Sequence, residues 1–493
     1  MKKLTAVLLA VLLAFSLSAG AFAEGESTEL PWPKYDTLQT VNLWLCSNYP
    51  APDTPLIEEA INKISEERYN IHYNLTVIEY SQYSAQLTLA LTSDNECDAF
   101  FNLDMMTNVK NGGVYDITDL FANDPNKGMV FEWQDRYMGI YYFGGRLYGL
   151  RPLNDFGSHL SLNIVDDVAE FYGIEPMTEL SVDDVEELFA KIKVDFPDRY
   201  PIAPVYGAIF TGGFPWTWDQ AGDNNPASGV LSDKGQGDLT LHCMFEDEDY
   251  IAMMRRTRDW YLKGYAPEDV LAMTDSVFSQ LSSGRAATGF DTFAVNGVSG
   301  AIRTIMKETG CWARAGSGRG FSINSMTKDP ELAYRALTLF WYDPELGQLM
   351  NNGSEGVTYT MNDNGTISYI SGDPNTSGWA AATMTWSFPG SFRGHPIDTN
   401  APTFFEDMYE LYATAEASKV YGFIYDPENQ YDAWLACNTV WNTYNSQLSS
   451  GTVDVDATLA EAKQAWLDAG GAELMADKQA QLDAWVAANL KAE

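Results

Sequence analysis

Two tryptophans stand two residues apart, Trp216 and Trp218, in the run TGGFPWTWDQAGDNN (residues 211–225), among acids and amides. The glycines and the proline make this stretch a loop. In an extended segment residues i and i+2 face one side, so both rings meet the same surroundings. Three covers are open to them: the protein's own core, a partner surface, or a flat ligand such as a sugar ring. A sugar packs its C–H faces on an aromatic ring while Asp, Asn and Arg bridge its hydroxyls. Core is the alternative to a binding role, because tryptophan is usually well buried.

Catalytic patterns are missing. The chain has no G-x-S-x-G elbow, no H-E-x-x-H and no phosphate loop ending in Gly-Lys-Ser/Thr. Its histidines, His72, His159, His242 and His395, are too far apart to ligate a metal as a pair on one element. DPNTSGWAAATM (373–384) offers Asp373, Asn375, Ser377 and Gly378 in the order of a calcium loop, yet carries Met384 where a bidentate Glu belongs, and reads as a turn. Five cysteines, Cys46, Cys97, Cys243, Cys311 and Cys437, are odd in number and irregularly spaced, which predicts buried thiols and neither a disulfide framework nor a zinc site. No metal or cofactor is expected. Carboxylate pairs for glycoside hydrolysis are set by fold and not by spacing. A secreted polysaccharide-active hydrolase therefore stands as one alternative, and a noncatalytic surface protein binding another protein as a second.

The elements that would position such residues alternate. Val41, Leu43 and Leu45 in TVNLWLC mark a strand, with Trp44 on the opposite side. Leu56, Ile57, Ala60, Ile61 and Ile64 form a helical stripe. NIHYNLTVIEY is a second strand, SQYSAQLTLALTSDN a second helix and CDAFFNL a third, buried strand. This β-α-β-α-β order begins an open, mostly parallel α/β sheet, in which ligands sit beyond the carboxyl ends of strands. Asp104 follows the third strand and is either a ligand contact or a helix cap. Farther on, Leu160–Asn163 reads as a strand, and Ser181 with Asp184 as a capping box before the stripe Val185, Leu188, Phe189 and Ile192. SVFSQLSSGRAATGFDTF is a helix, a glycine turn and a strand, Asp329 and Pro330 start another helix, residues 351–400 are loop-rich, and the last ninety are helical.

The 493 residues suffice for two or three domains. With 30 basic against 68 acidic residues the net charge is −38, which makes nucleic acid a poor partner. Lys2, Lys3, the apolar run Leu4 to Leu17 and the small-x-small site Ala21-Phe22-Ala23 predict a signal peptide over residues 1–23 and export. A lipid anchor would need a cysteine directly after it, and the first is Cys46, so the expected place is extracellular or at the cell surface by some other means.

Several segments together resemble the extracellular solute-binding proteins of carbohydrate ABC importers, family 1-like, in the roughly 500-residue branch of Gram-positive gut bacteria. They are ECDAFFNLDMMTNVKNGGVYDITDLF, GGRLYGL with Arg146 in place of a lysine and Pro152 delayed, FSQLSSGRAAT, TKDPELAYRALTLFWYDPE, NNGSEGVTYTMNDNGT and the ending from SGTVDVDATLAEAKQAW to DAW. Their order along nearly the whole mature chain carries the likeness. The resemblance implies two α/β lobes, the periplasmic-binding-protein-like fold, with a multi-stranded hinge closing over ligand. Lobe boundaries follow as 24–152 for the first lobe, 153–300 for the second, 301–360 for a return to the first, 361–400 for a loop-rich cleft and hinge region, and 401–493 for C-terminal helices on the second. It implies a carbohydrate ligand, taken here as an oligosaccharide, permease subunits as partners, a monomer and no bond broken. The ligand-binding residues expected are Trp44, Asp104, Asp155, Phe156, Trp216, Trp218, Asp291, Phe293, Trp379, Trp386 and Arg393.

Overall fold

The computed structural model describes residues 30–490, except 48–49, 93–96, 130–137, 153–159, 211–216, 224, 274, 276, 293–299, 311, 314–318, 373–376, 380–386, 391–392 and 399. The apolar alternation Val41, Leu43, Leu45 makes β1 (Gln39–Ser47), and all three side chains are buried. Pro55 sits in the first turn of α1 (Thr54–Tyr69), which buries Ile57, Ile61 and Tyr69 and ends on left-handed Asn70. The chain returns along β2 (Ile71–Glu79), parallel to β1 from Gln39↔Ile71 to Ser47↔Glu79. Next come α2 (Tyr80–Leu91), the fully buried β3 (Ala99–Asn102), also parallel to β1, and the short α3 (Met105–Lys110). This is the β-α-β-α-β start expected.

After residue 159 a second unit begins with β4 (Leu160–Val165), buried along its whole length. Ser181 and Asp184 make a reciprocal capping box on α4 (Val182–Asp195), and the expected stripe Val185, Leu188, Phe189 and Ile192 is buried. Then follow β5 (Tyr200–Ile202), α5 (Glu248–Leu262), β6 (Ala286–Thr292) and β7 (Ala301–Arg303). The sheet order is β7-β4-β6-β5. Only β5 and β6 pair in parallel, while β4 is antiparallel to both neighbours. Parallel pairing thus dominates the first sheet and not the second.

The chain then passes through β8 (Trp312–Ala313) and re-enters the first sheet as β9 (Gly320–Ile323), antiparallel to β3, for an order β9-β3-β1-β2. Asp329 caps α6 (Pro330–Tyr342) by accepting from Leu332 N. A later helix, α7 (Phe404–Thr414), leads to β10 (Glu416–Ala417), which pairs in parallel with β8. Three helices close the chain: α8 (Tyr431–Ser450), α9 (Val455–Asp468) and α10 (Gly471–Asn489).

Among the described residues two large hydrophobic cores result, beside a small cluster of Tyr359, Ile367 and Ile397. One gathers residues from Trp32 to Leu150 and from Phe321 to Met408; the other gathers Leu160 to Met306 and Val420 to Leu482. The chain crosses between them three times, after Leu150, after Met306 and after Met408, with β8 and β10 pairing on the second and third crossings. The expected boundaries shift accordingly. Residues 301–306 belong with the second sheet, because β7 pairs with β4 and Ile305–Met306 pairs with Glu179–Leu180. Phe404, Phe405 and Met408 pack in the first core, so the C-terminal segment joins the second only from Val420. Strands of two or three residues carry too little pattern to announce which sheet they will join.

Candidate functional site

The parallel strands β1, β2 and β3 finish at one end of the first sheet, at Ser47, Glu79 and Asn102, where antiparallel β9 starts at Gly320. Asn102 is fully buried there; its amide nitrogen donates to Ser322 Oγ (3.1 Å) and its oxygen accepts from Asn108 Nδ2 (2.8 Å). Asp104 accepts from Thr107 N at 3.1 Å and so caps α3. Arg319 stands exposed at the same end, close enough for its charge to act on Cys46 at the end of β1. The Arg319 carbonyl accepts from Tyr141 Oη at 2.6 Å, and Leu150 and Phe321 exchange two backbone hydrogen bonds of 2.8 Å. A Cβ on Gly320 would lie 2.6 Å from the Leu150 carbonyl oxygen and from the Tyr141 ring, so this position admits only glycine. The first crossing is thereby clamped to the start of β9.

On the second sheet, β6 ends where β4 begins. Asp291 lies opposite Ser161, Gly289 opposite Asn163, and Asn163 opposite Arg303. By strand alternation these side chains share the face turned away from Leu160, Leu162 and Ile164. Ser161 Oγ and Asn163 Oδ1 are buried there with no hydrogen-bond partner among the described residues. A buried polar atom so placed costs about 1–3 kcal/mol unless water or a ligand meets it. Arg151 on the first crossing donates to Tyr421 Oη on the third at 2.8 Å, tying two of the crossings together.

The residues expected to bind ligand divide. Asp104 and Asp291 lie at strand ends, one on each sheet. Trp44 is half-buried against the first core, in register with Phe100 and Thr76. Arg393 is half-buried in the loop-rich region, its Cβ close against Gly347. Trp218 and Trp379 are core residues, each 2% exposed. Trp218 meets Tyr250 edge-on at 6.0 Å, while Trp379 donates its Nε1 to the Met350 carbonyl (2.8 Å) and meets Phe388 at 5.9 Å. For those two the core reading replaces the binding one, because each ring already has an apolar cover. Asp155, Phe156, Trp216, Phe293 and Trp386 lie outside the described residues, as do the signal segment, Cys311 and most of the calcium-like turn. Sequence reasoning missed Arg319, Ser161 and Asn163. Of these Arg319 had a visible signal, a cation between glycines directly before a strand.

The loop that holds Trp218 is anchored from far along the chain. Lys478 on α10 is fully buried and donates to Gln220 O (2.7 Å), Asp223 Oδ1 (3.0 Å), Ser228 Oγ (2.8 Å) and Gly229 O (3.0 Å). Trp434 Nε1 adds a bond to Asp223 Oδ2 at 3.0 Å. Burial presses the Lys478 ammonium towards its neutral form, and Asp223 holds the charge against it. A cavity of about 310 Å³ lies elsewhere, lined by Trp32, Leu120, Tyr334 and Arg335 among others, away from the strand ends. Among the described residues no group of three or more His, Cys, Asp or Glu could hold a metal, and no helix is long and apolar enough to cross a membrane.

Residues 419–487 match a family model described as a domain of unknown function, DUF3502. A carbohydrate ABC transporter substrate-binding protein of Streptococcus pneumoniae serotype 4 is 20% identical over 439 residues, 86% of each chain. The N-glycan transport solute-binding protein NgtS of S. pneumoniae superposes with a TM-score of 0.77 at 18% identity, over 92% of this chain and 100% of that one. The same protein in complex with Man1GlcNAc gives 0.71 over 91% and 99%. This chain has the fold of the two-lobe solute-binding proteins. In that fold the two cores are the two lobes, and the paired β8 and β10 with the clamped first crossing form the hinge. The match to DUF3502 then covers the end of the third crossing and the three helices whose Lys478 anchors the second-lobe loop.

Proposed function

We propose that this protein is the substrate-binding component of an ABC importer, capturing an oligosaccharide between its lobes and handing it to membrane permease subunits without breaking a bond. The observation that carries the reading is the pair of polar strand ends, Asn102 to Asp104 with Arg319 on one sheet and Ser161 with Asp291 on the other, each on its own lobe beside the hinge. Likeness to NgtS, solved with Man1GlcNAc and with Man5GlcNAc, supports a carbohydrate ligand. Lobe closure brings contacts from both sides, so affinity follows hinge position as well as pocket chemistry. Of the residues read from sequence we retain Trp44, Asp104, Asp291 and Arg393 as contacts, with Arg319 and Ser161 added. Residues 1–23 act as the export signal in this reading, and the protein works outside the membrane as a monomer.

Thermal melting of residues 24–493 against mono- and oligosaccharides and peptides tests it. A ligand that binds only the folded state raises stability by RT ln(1 + [L]/Kd), about 2.7 kcal/mol at a hundredfold excess over Kd. An upward shift with a glycan that is recovered intact is the expected result. A glycan recovered cleaved would make the protein a hydrolase, and shifts with peptides alone would remove the carbohydrate assignment.

A further inference from the structure

Three consecutive residues of the second lobe, Asp233, Lys234 and Gly235, have left-handed backbones, with φ of 52°, 54° and 69°. Glycine adopts this freely and aspartate tolerates it, but for lysine it costs on the order of 1 kcal/mol. The turn is held in place from several sides. Lys234 N donates to Thr217 O (2.6 Å), Lys419 N to Gly235 O (3.2 Å) and Gln236 Nε2 to Ala417 O (2.6 Å). A Cβ on Gly235 would fall 2.3 Å from Ser418 Oγ, so the turn lies directly on the third crossing beside β10.

This clamp sends the Lys234 side chain across to the second crossing. Its Nζ comes within 3.9 Å of the point where Gly310 would carry a Cβ, and Gly310 presents only backbone to it. The lysine is half-buried at the hinge between β8 and β10, and desolvation works against its charge. Asp233 and Glu416 favour the charge from beyond ion-pair distance, and the ammonium makes no hydrogen bond or ion pair among the described residues. In the same chain, with 68 acids to 30 bases, the partly buried Arg68, Arg199 and Arg256 each sit against a carboxylate. Here a strained backbone holds an ammonium against a side-chain-free neighbour, without a hydrogen-bond or ion-pair partner among the described residues.

We infer that Lys234 receives a carboxylate carried by the ligand, which makes the ligand an acidic saccharide of the uronic or sialic type. The inference rests on the binding reading above and narrows its substrate class. A protein of net charge −38 repels an anion at long range, so a local cation not already paired with a carboxylate is what such a ligand requires.

Paired probes test it on the mature chain. Trigalacturonate is compared with its full methyl ester, which keeps the skeleton and loses the charge, and 3′-sialyllactose is compared with lactose. Calorimetry and melting are run on the native protein, on Lys234→Met, which keeps length and loses charge, and on Lys234→Arg. The expected result is binding of one acidic member and not its neutral counterpart, with salt weakening it. K234M then lowers its affinity about tenfold to a hundredfold, K234R restores most of it, and the ligand-free melting temperature of all three agrees within a few degrees. Which pair responds distinguishes a uronate from a sialate. Equal binding of acidic and neutral members, or K234M binding the acid as well as native, overturns the inference. A neutral glycan bound with no acidic one leaves the transport reading standing and removes this one; no saccharide bound at all removes both.

Discussion

Cys46, Cys97, Cys243 and Cys437 are buried free thiols, as their irregular spacing suggested. Burial pushes Cys46 and Cys243 up to about 12 and Cys437 up to about 11, with the Arg319 charge working against burial at Cys46. In the folded protein these groups keep their protons while the unfolded chain gives them up near 9. Their contribution is therefore whole below pH 9 and is lost as pH rises through 11 to 12. Urea melts at intervals from pH 7 to 11 are expected to show falling stability above pH 9, with C243A flattening the curve. A thiol reagent at pH 8 should leave these four intact in the native protein and reach all five cysteines in urea; rapid native labelling of Cys46 would refute the burial. What each residue could do was legible in its type, and where it went was not. Trp218 and Trp379 have the right chemistry for a sugar, yet residues as remote in sequence as Tyr250 and Met350 enclose them, and local pattern holds no record of such neighbours. Asp104 is a cap because Thr107 N lies three residues on, a local rule that sequence does display.

At the scale of elements, the helices were the readable part. The Ser181–Asp184 box, the stripe it introduces and the Asp329–Pro330 start all depend on neighbours within one or two turns. The first three parallel strands were readable for the same reason, β1 and β2 as long apolar alternations and β3 as a short buried run bounded by turns. α10 shows the limit. Lys478 looks like one more charged residue on an exposed helix, yet it is the donor to a loop some 250 residues earlier. Lys478→Met would leave Asp223 buried without its cation and two carbonyls without a donor, at a cost of roughly 3–5 kcal/mol. Denaturation followed by tryptophan fluorescence is expected to show that loss, and a cost below about 1 kcal/mol would mean that the loop is held by other contacts. K478M should also move Trp218, whose near-ultraviolet dichroism reports its edge-on contact with Tyr250.

Across the whole molecule, the segment after the third crossing belongs to the second lobe while leaning on the first. Tyr421 meets Arg151, Gly422 lies against Gly139, and Asp426 pairs with Lys110 on α3, with Glu428 at 3.7 Å. The Lys110 contacts are both partly exposed, so each is worth up to about 1 kcal/mol. Charge reversal in Lys110→Glu is expected to shift the lobes apart, seen as a larger radius in X-ray scattering without ligand, and to weaken ligand affinity by about fivefold. An unchanged radius and affinity would mean that the pair does not restrain the lobes. The triple crossing has one more effect, on the order in which the chain can fold as it is made. The strand that completes the first sheet, β9, lies more than two hundred residues after the strand it pairs with, and the first segment of the second lobe, Leu160 to Met306, comes off the ribosome in between. Contacts of such separation form late, so the amino-terminal sheet stays unfinished, with the β3 edge open, until synthesis has passed Ile323.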